Sequence, residues 1–99
     1  ETLYYPDNLA MSPRGGLVLC QDSYRKEAQS LFGLTPQAGL FEFARNNGRY
    51  DNFHGLDGDY TSSEFAGACF SPDGRWLFVN VYNPGFTVAI TGPWQQGLL

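Results

Sequence analysis

Oxygen-bearing side chains that could bind a cation precede two short apolar segments of this 99-residue chain. Asp7 and Asn8 stand directly before one segment, and Glu64 stands directly before the other. Hard cations such as calcium bind carboxylate, amide and backbone carbonyl oxygens, so these residue types would suit a metal site if the fold brought them together. From the residues alone, the simpler interpretation is an Asx turn at Asp7 and Asn8 and a solvated Glu64.

The elements that carry these residues follow one pattern, which occurs twice. Residues 8–19 (NLAMSPRGGLVL) and residues 67–79 (GACFSPDGRWLFV) each contain an apolar segment, a Ser-Pro-x-Gly turn and a second apolar segment. Proline at the second turn position presets φ, and glycine at the fourth tolerates the exit geometry. Two hairpins of the same design predict a repeat architecture, for which β-propeller blades are the most economical interpretation. Because a propeller ring usually needs about four to eight blades, we expect the chain to be part of something larger.

The predicted fold is all-β, with antiparallel four-stranded meanders that form about two blades of a β-propeller. Aromatic residues make up 16% of the chain and glycine accounts for 12 residues, which fits short strands and tight turns better than a helical bundle. A blade-like unit is predicted over residues 8–44 and a long loop over residues 45–63. A second, incomplete blade is predicted over residues 64–94.

The charge and hydropathy of the chain exclude two classes of partner. A net charge of −4 argues against binding to a nucleic-acid backbone, which requires a basic face. No segment approaches the roughly 20 apolar residues that span a bilayer, so no membrane partner is expected, and no signal sequence is visible. An acidic surface suits bound cations better than bound polyanions.

The predicted loop contains several side chains that could bind ions, although their spacing favours solvation for the acidic ones. They are three aspartates, one histidine and two arginines: Asp51, Asp57, Asp59, His54, Arg45 and Arg49. The aspartates do not follow the calcium-loop pattern, which has alternating acids, glycine at the sixth place and glutamate at the twelfth. The histidine has no cysteine or histidine at metal-binding spacing. The arginines are candidate phosphate clamps, because a guanidinium group matches phosphate oxygens.

The two cysteines and the two arginines near the turns are expected to be structural or solvated. Cys20 and Cys69 lie in apolar segments of different predicted blades, so each is interpreted as a small buried hydrophobe and not as half of a disulfide. Arg14 and Arg75 lie in or beside the Ser-Pro-x-Gly turns, where we expect their side chains to be solvated.

Three segments in this order resemble the C-terminal region of the PhoX-type alkaline phosphatases. They are PDNLAMSPRGGLVLCQD, LFGLTPQAGLFEFARN and SEFAGACFSPDGRWLFVNVYNPGFTVAITGPW. The resemblance covers about residues 4–94, and its most specific parts are Pro6–Leu9, Ser63–Gly67 and Ala89–Trp94. It implies a β-propeller enzyme that hydrolyses phosphate monoesters with calcium and iron. It also implies export to the periplasm or beyond.

The resemblance also implies the site residues. Asp7, Asn8 and Glu64 are the predicted metal ligands, contributed by two neighbouring blades to a central channel. The family's thiolate iron ligand comes from a segment nearer its N-terminus, for which this chain has no match, so neither cysteine is assigned that role. No catalytic residue is assigned, and no organic cofactor is predicted.

We therefore expect this chain to be part of a metal-dependent phosphomonoesterase. The full-length enzyme would be active, whereas these 99 residues alone would be inactive, because the site draws its ligands from several blades. The alternatives are a non-catalytic propeller module and a structural fragment that self-associates through exposed strand edges. The expected protein partners are accordingly the remaining propeller blades or further copies of the chain.

Overall fold

The two Ser-Pro-x-Gly sequences form the β-turns that their residues predict. The N–H of Gly15 donates to the Ser12 carbonyl, and the N–H of Gly74 donates to the Ser71 carbonyl, both at 2.9 Å. The two glycines have φ of +106° and +72°, a region that residues with a Cβ rarely adopt. Each turn therefore closes a hairpin of two antiparallel strands.

A computed structural model describes residues 6–23 and 27–99, and it is nearly all β. Residues 24–26, inside the predicted first blade, lie outside the described residues. The first sheet is an antiparallel meander of four strands in sequential order. Its strands are β1 (Pro6–Met11), β2 (Leu17–Gln21), β3 (Ser30–Leu34) and β4 (Leu40–Arg45). This blade-like sheet confirms the predicted all-β class.

The segment over residues 45–63, predicted as a long loop, contains a two-stranded hairpin instead. Its strands are β5 (Arg49–Phe53) and β6 (Leu56–Asp59). His54 and Gly55 form the turn with φ of +50° and +82°, and Phe53 pairs with Leu56 across it. Two central residues with positive φ define a tight hairpin turn whose twist suits the flanking strands. The sequence did not reveal this hairpin because its strands carry mostly polar side chains.

The third sheet is antiparallel and has three strands in sequential order. They are β7 (Phe65–Phe70), β8 (Trp76–Val81) and β9 (Phe86–Thr91), and a short 3-10 helix (Trp94–Gln96) follows them. Strand β8 buries Leu77, Val79 and Val81 and exposes the residues between them, as the pleat of a strand requires. Among the described residues, no helix has the length and apolar character needed to cross a membrane.

The first and third sheets share one hydrophobic core, because β1 and β2 lie against β7. Its buried residues are Val18, Cys20, Leu31, Phe65, Ala68, Leu77, Val79, Val81 and Leu99. Each large aliphatic or aromatic side chain buried in this way contributes about 1.5–3 kcal/mol. The core therefore fixes the start of β7 relative to the β1–β2 hairpin.

A glycine and a phenylalanine form a close cross-strand pair in the first sheet. Gly33 on β3 lies opposite Phe41 on β4, and the Phe41 ring covers the glycine. A Cβ at position 33 would overlap three atoms of that ring. The Phe41 ring also lines an open, largely apolar depression of about 500 Å³, together with Phe43 and Trp94.

Arg14 is exposed, as expected, but its side chain also bonds to distant parts of the chain, which the sequence did not predict. Its Nε donates to the Leu99 carbonyl and its Nη1 donates to the Gly74 carbonyl, both at 2.9 Å. Its guanidinium carbon lies 5.0 Å from the centroid of the Trp94 ring and 5.5 Å from that of Phe70. Aromatic faces attract cations, and the fold brings both rings and both carbonyls to the first Ser-Pro-x-Gly turn.

The two cysteines differ in exposure. Cys20 is fully buried, as predicted, whereas Cys69 is exposed, so the prediction that both are buried is wrong for Cys69. The pairing of β7 with β8 shifts between Ala66 and Cys69, and Gly67 in that interval has φ of +63°. This bulge changes the alternation of the strand, so Ala68 faces the core and Cys69 faces outward.

A maleimide reagent should therefore modify Cys69 in the native protein and leave Cys20 unmodified until denaturant is added. The reagent cannot reach the Cys20 thiol in the folded protein, because Cys20 has no exposed surface. Labelling followed by mass spectrometry of the tryptic peptides measures the difference. Cys69→Ser should remove native labelling and Cys20→Ser should leave it unchanged. Rapid labelling of Cys20 in the native protein would contradict its buried position.

Candidate metal centre

Three strand ends meet at one place and carry acidic residues. In the antiparallel β1–β2 hairpin, Pro6 pairs with Gln21, so Asp7 near the start of β1 lies close to Asp22, which follows the end of β2. Strand β7 packs against this hairpin, and Glu64 directly precedes that strand. Topology thus brings together carboxylates from two different sheets.

The three carboxylates are close enough to bind one ion. One oxygen from each of Asp7, Asp22 and Glu64 lies within 4.8 Å of the other two. Asp22 and Glu64 are half-buried and Asp7 is exposed. In the part of the chain that the structure describes, no lysine, arginine or histidine forms an ion pair with any of the three. We call these three residues the acid cluster.

The electrostatics of the acid cluster favour a bound positive charge. Burial raises the pKa of Glu64, and the negative charges of Asp22 and Asp7 and a hydrogen bond with Asp22 raise it further. Closely spaced carboxylates repel each other when all are ionised. A cation would relieve this repulsion, because it attracts all three at once.

The donor set fits a hard cation. Calcium binds oxygens at about 2.3–2.6 Å, so two oxygens on opposite sides of one ion are separated by about 5 Å at most. The separations in the acid cluster fall within this limit. Carboxylate oxygens are also suitable for ferric iron, which is a hard ion as well. Calcium in proteins is surrounded by about six to eight oxygens, which is more than the three donors of the acid cluster.

Two of the three sequence-predicted ligands, Asp7 and Glu64, belong to the acid cluster. The third, Asn8, lies opposite Cys20 in the β1–β2 pairing, and its Oδ1 accepts a hydrogen bond from Cys20 Sγ at 3.8 Å. Burial raises the pKa of Cys20 to about 11, and the negative charges of Asp7 and Glu64 contribute in the same direction. That cysteine is therefore a neutral thiol at neutral pH, and the role of Asn8 as a ligand stays a prediction.

Sequence reasoning missed Asp22. The hairpin itself could have indicated Asp22, because counting outward from the turn over residues 12–15 places the start of β1 beside residues 20–22. Between Pro6 and Asn8 the pairing has a bulge, which leaves Asp7 without a partner residue on β2. A β-bulge changes the direction in which side chains point, and this bulge lies where Asp7 comes close to Asp22.

An open depression of about 420 Å³ adjoins the acid cluster. Asp22 and Glu64 line it together with Asp59, Tyr60, Ser62, Ser63, Tyr82 and Asn83. Tyr82 is 73% exposed, so its ring forms part of the open rim. Small-molecule sites typically have volumes of about 300–1,000 Å³, and the depression falls within this range.

The ionisable residues of the β5–β6 hairpin lie outside the acid cluster. Asp51, Asp57 and His54 are exposed. The two arginines considered as phosphate clamps have carboxylate partners: Arg45 pairs with Glu42 at 2.7 Å and Arg49 pairs with Asp59 at 3.4 Å. Hydrogen bonds from Thr61, together with the nearby Arg49, lower the pKa of Asp59.

Comparison with known proteins gives one family. The family model described as "Alkaline phosphatase PhoX" matches residues 1–85, a range that includes the whole acid cluster. Comparison with curated proteins and with solved structures gives no match.

Proposed function

Because the chain belongs to the PhoX alkaline phosphatase family, we propose that it forms part of a metal-dependent phosphomonoesterase whose cations are held by the acid cluster. One observation carries this proposal. Three carboxylates from separate strand ends converge within 4.8 Å, inside the region that matches the family, and no basic residue of the described ranges pairs with them. Ionised carboxylates this close repel each other, and a bound cation would offset that repulsion.

In this proposal, Asp7, Asp22 and Glu64 bind the cation through their carboxylate oxygens, and Asn8 is a candidate for a further oxygen donor. Bound cations would neutralise the phosphate oxygens and activate a nucleophile for attack on phosphorus. The depression beside Asp22 and Glu64 would receive the phosphate group of the ester. Its described lining is acidic and polar, which suits bound cations.

We propose calcium and iron as the metals, on the basis of the family resemblance and the all-oxygen donor set. The carboxylate separations of the acid cluster suit calcium, as derived above. Export to the periplasm or beyond is proposed on the same family basis.

The remaining ligands of the metal site are proposed to come from other propeller blades or from further copies of the chain. The acid cluster supplies three donors, whereas calcium binds about six to eight oxygens. The third sheet has three strands where the first has four, so the edge of β9 is also available for strand pairing.

The test is metal content measured together with hydrolysis of p-nitrophenyl phosphate. We expect the full-length protein to contain calcium and iron and to release p-nitrophenol at alkaline pH. A chelator should remove most of the activity, and added calcium should restore at least part of it. A folded, full-length protein that contains no metal and does not hydrolyse the ester would refute the proposed function.

A further inference from the structure

Gln29 uses its side-chain amide to hold the backbone beside Asp22. Gln29 is 1% exposed, its Nε2 donates to the Ser23 carbonyl at 2.7 Å, and its Oε1 accepts from the Ser23 N–H at 3.0 Å. The amide thus pairs with both backbone groups of one residue, as a neighbouring β-strand would. Gln21 Nε2 donates to the same Oε1 at 3.4 Å. Asp22 lies between Gln21 and Ser23, so Gln29 contacts the residues on both sides of it.

Asn46 holds the backbone on the N-terminal side of Glu64 in a similar way. Asn46 is buried, and its Nδ2 donates to the Tyr60 carbonyl at 2.8 Å and to the Ser63 carbonyl at 3.0 Å. Its Oδ1 accepts from the Gly48 N–H at 2.9 Å. Ser63 directly precedes Glu64, so Asn46 fixes the backbone one residue before that carboxylate.

Backbone hydrogen bonds join these two side chains into one network. The Asn46 N–H donates to the Gln29 carbonyl at 2.8 Å, and the Gln29 N–H donates to the Thr61 carbonyl at 2.9 Å. The network therefore runs from Ser23 through Gln29 and Asn46 to Ser63. It connects the two segments that carry the half-buried carboxylates, although these segments belong to different sheets.

We propose that Gln29 and Asn46 are positioning residues that hold Asp22 and Glu64 at the separation needed to bind one cation, an inference that rests on the proposed function. Both acidic residues lie just outside a strand and repel each other when both are ionised to bind a cation, so the surrounding backbone has to hold their spacing in that state. A buried amide is suited to this because breaking its hydrogen bonds leaves buried polar groups unsatisfied. Among the described residues, every buried side-chain nitrogen and oxygen has a partner, so the network is fully satisfied.

The test measures calcium affinity by calorimetry on the full-length protein after chelator treatment. Gln29→Met and Asn46→Leu keep approximately the size of the side chain and remove its hydrogen bonds. Each should raise the Kd for calcium about 10-fold, because groups that support metal ligands typically contribute about 10–100-fold to affinity. Ser12→Ala is the matched control: Ser12 is 1% exposed, and its hydroxyl accepts from the Arg14 N–H in the turn at the other end of β1. It should leave the Kd unchanged.

A double-mutant cycle separates positioning from general destabilisation. In an Asp22→Asn background, Gln29→Met should change the Kd less than about 2-fold, because the ligand that Gln29 positions has already been altered. Asn46→Leu in a Glu64→Gln background should behave in the same way. A change that persists at full size in these backgrounds would mean that the two amides act only on the stability of the fold.

The possible failures are distinguishable. If the wild-type protein neither binds calcium nor hydrolyses the ester, the proposed function fails and the positioning role fails with it. If the wild-type protein binds calcium and both variants bind it as tightly as Ser12→Ala, only the positioning role is overturned. Should Gln29→Met not fold, Gln29→Asn retains an amide one methylene shorter, and the same direction of change is expected.

Discussion

Glu64→Ala should lower the hydrolysis of phosphate monoesters at least ~100-fold, and Asp7→Ala and Asp22→Ala should do the same. Groups that only support a metal ligand already contribute about 10–100-fold, so a carboxylate that binds the ion directly should contribute no less. The loss should appear as lost metal binding and not as misfolding, because the three side chains are exposed or half-buried and none belongs to the hydrophobic core. Steady-state kinetics with p-nitrophenyl phosphate, beside metal content, provides the measurement.

The matched control for these variants is Asp51→Ala. Asp51 is an exposed aspartate on β5, outside the acid cluster, so its removal changes the net charge equally without removing a ligand. Its activity and metal content should remain close to those of the wild-type protein. Near-normal activity in a Glu64→Ala variant with an unchanged circular dichroism spectrum would remove Glu64 from the metal site.

Arg14→Ala should lower the free energy of unfolding by about 2 kcal/mol, because a hydrogen bond that involves a charged group contributes about 1.5–3 kcal/mol and a cation–π contact about 0.5–1 kcal/mol. We place the expected loss well below the sum for its two hydrogen bonds and two ring contacts, since Arg14 is exposed and water replaces part of what is lost. Urea titration followed by tryptophan fluorescence measures the change, with the slope checked for two-state behaviour.

Arg75→Ala is the comparison for Arg14→Ala, because it removes the same side chain beside the other Ser-Pro-x-Gly turn. The hydrogen bonds of Arg75 use its backbone: its carbonyl accepts from Thr91 and Trp94, and its N–H donates to Asp73. Removing such an exposed side chain typically changes stability by less than about 0.5 kcal/mol. Equal losses in the two variants would show that the contacts of Arg14 with the distant carbonyls and rings are not stabilising.

Local sequence patterns predicted the sheets well where hydrophobic alternation and turn chemistry agree. The two Ser-Pro-x-Gly turns and the alternation in β8 are examples, because each depends only on neighbouring residues. The β5–β6 hairpin was missed because its strands are polar, although His54-Gly55 is a short turn sequence that ends in glycine. The exposure of Cys69 was missed because one bulge changes which side chains of a strand face the core.

The acid cluster could be predicted only in part, for a physical reason. Asp7 and Glu64 were identified through the family resemblance, whereas Asp22 becomes a candidate only when the register of the β1–β2 hairpin is known. The partners of Arg14 lie 60 and 85 positions away along the chain, and no local pattern indicates contacts at such separations. The same holds for the amide network of Gln29 and Asn46, which forms through tertiary hydrogen bonds.

The contact between Gly33 and the ring of Phe41 has an evolutionary consequence. A larger residue at position 33 is obstructed while the ring is in place, and a small residue at position 41 would uncover the glycine without filling the space above it. Each single substitution is therefore less favourable than the pair changed together. Across homologues, the two positions should covary, with glycine retained opposite an aromatic residue and replaced mainly where the aromatic residue is also replaced.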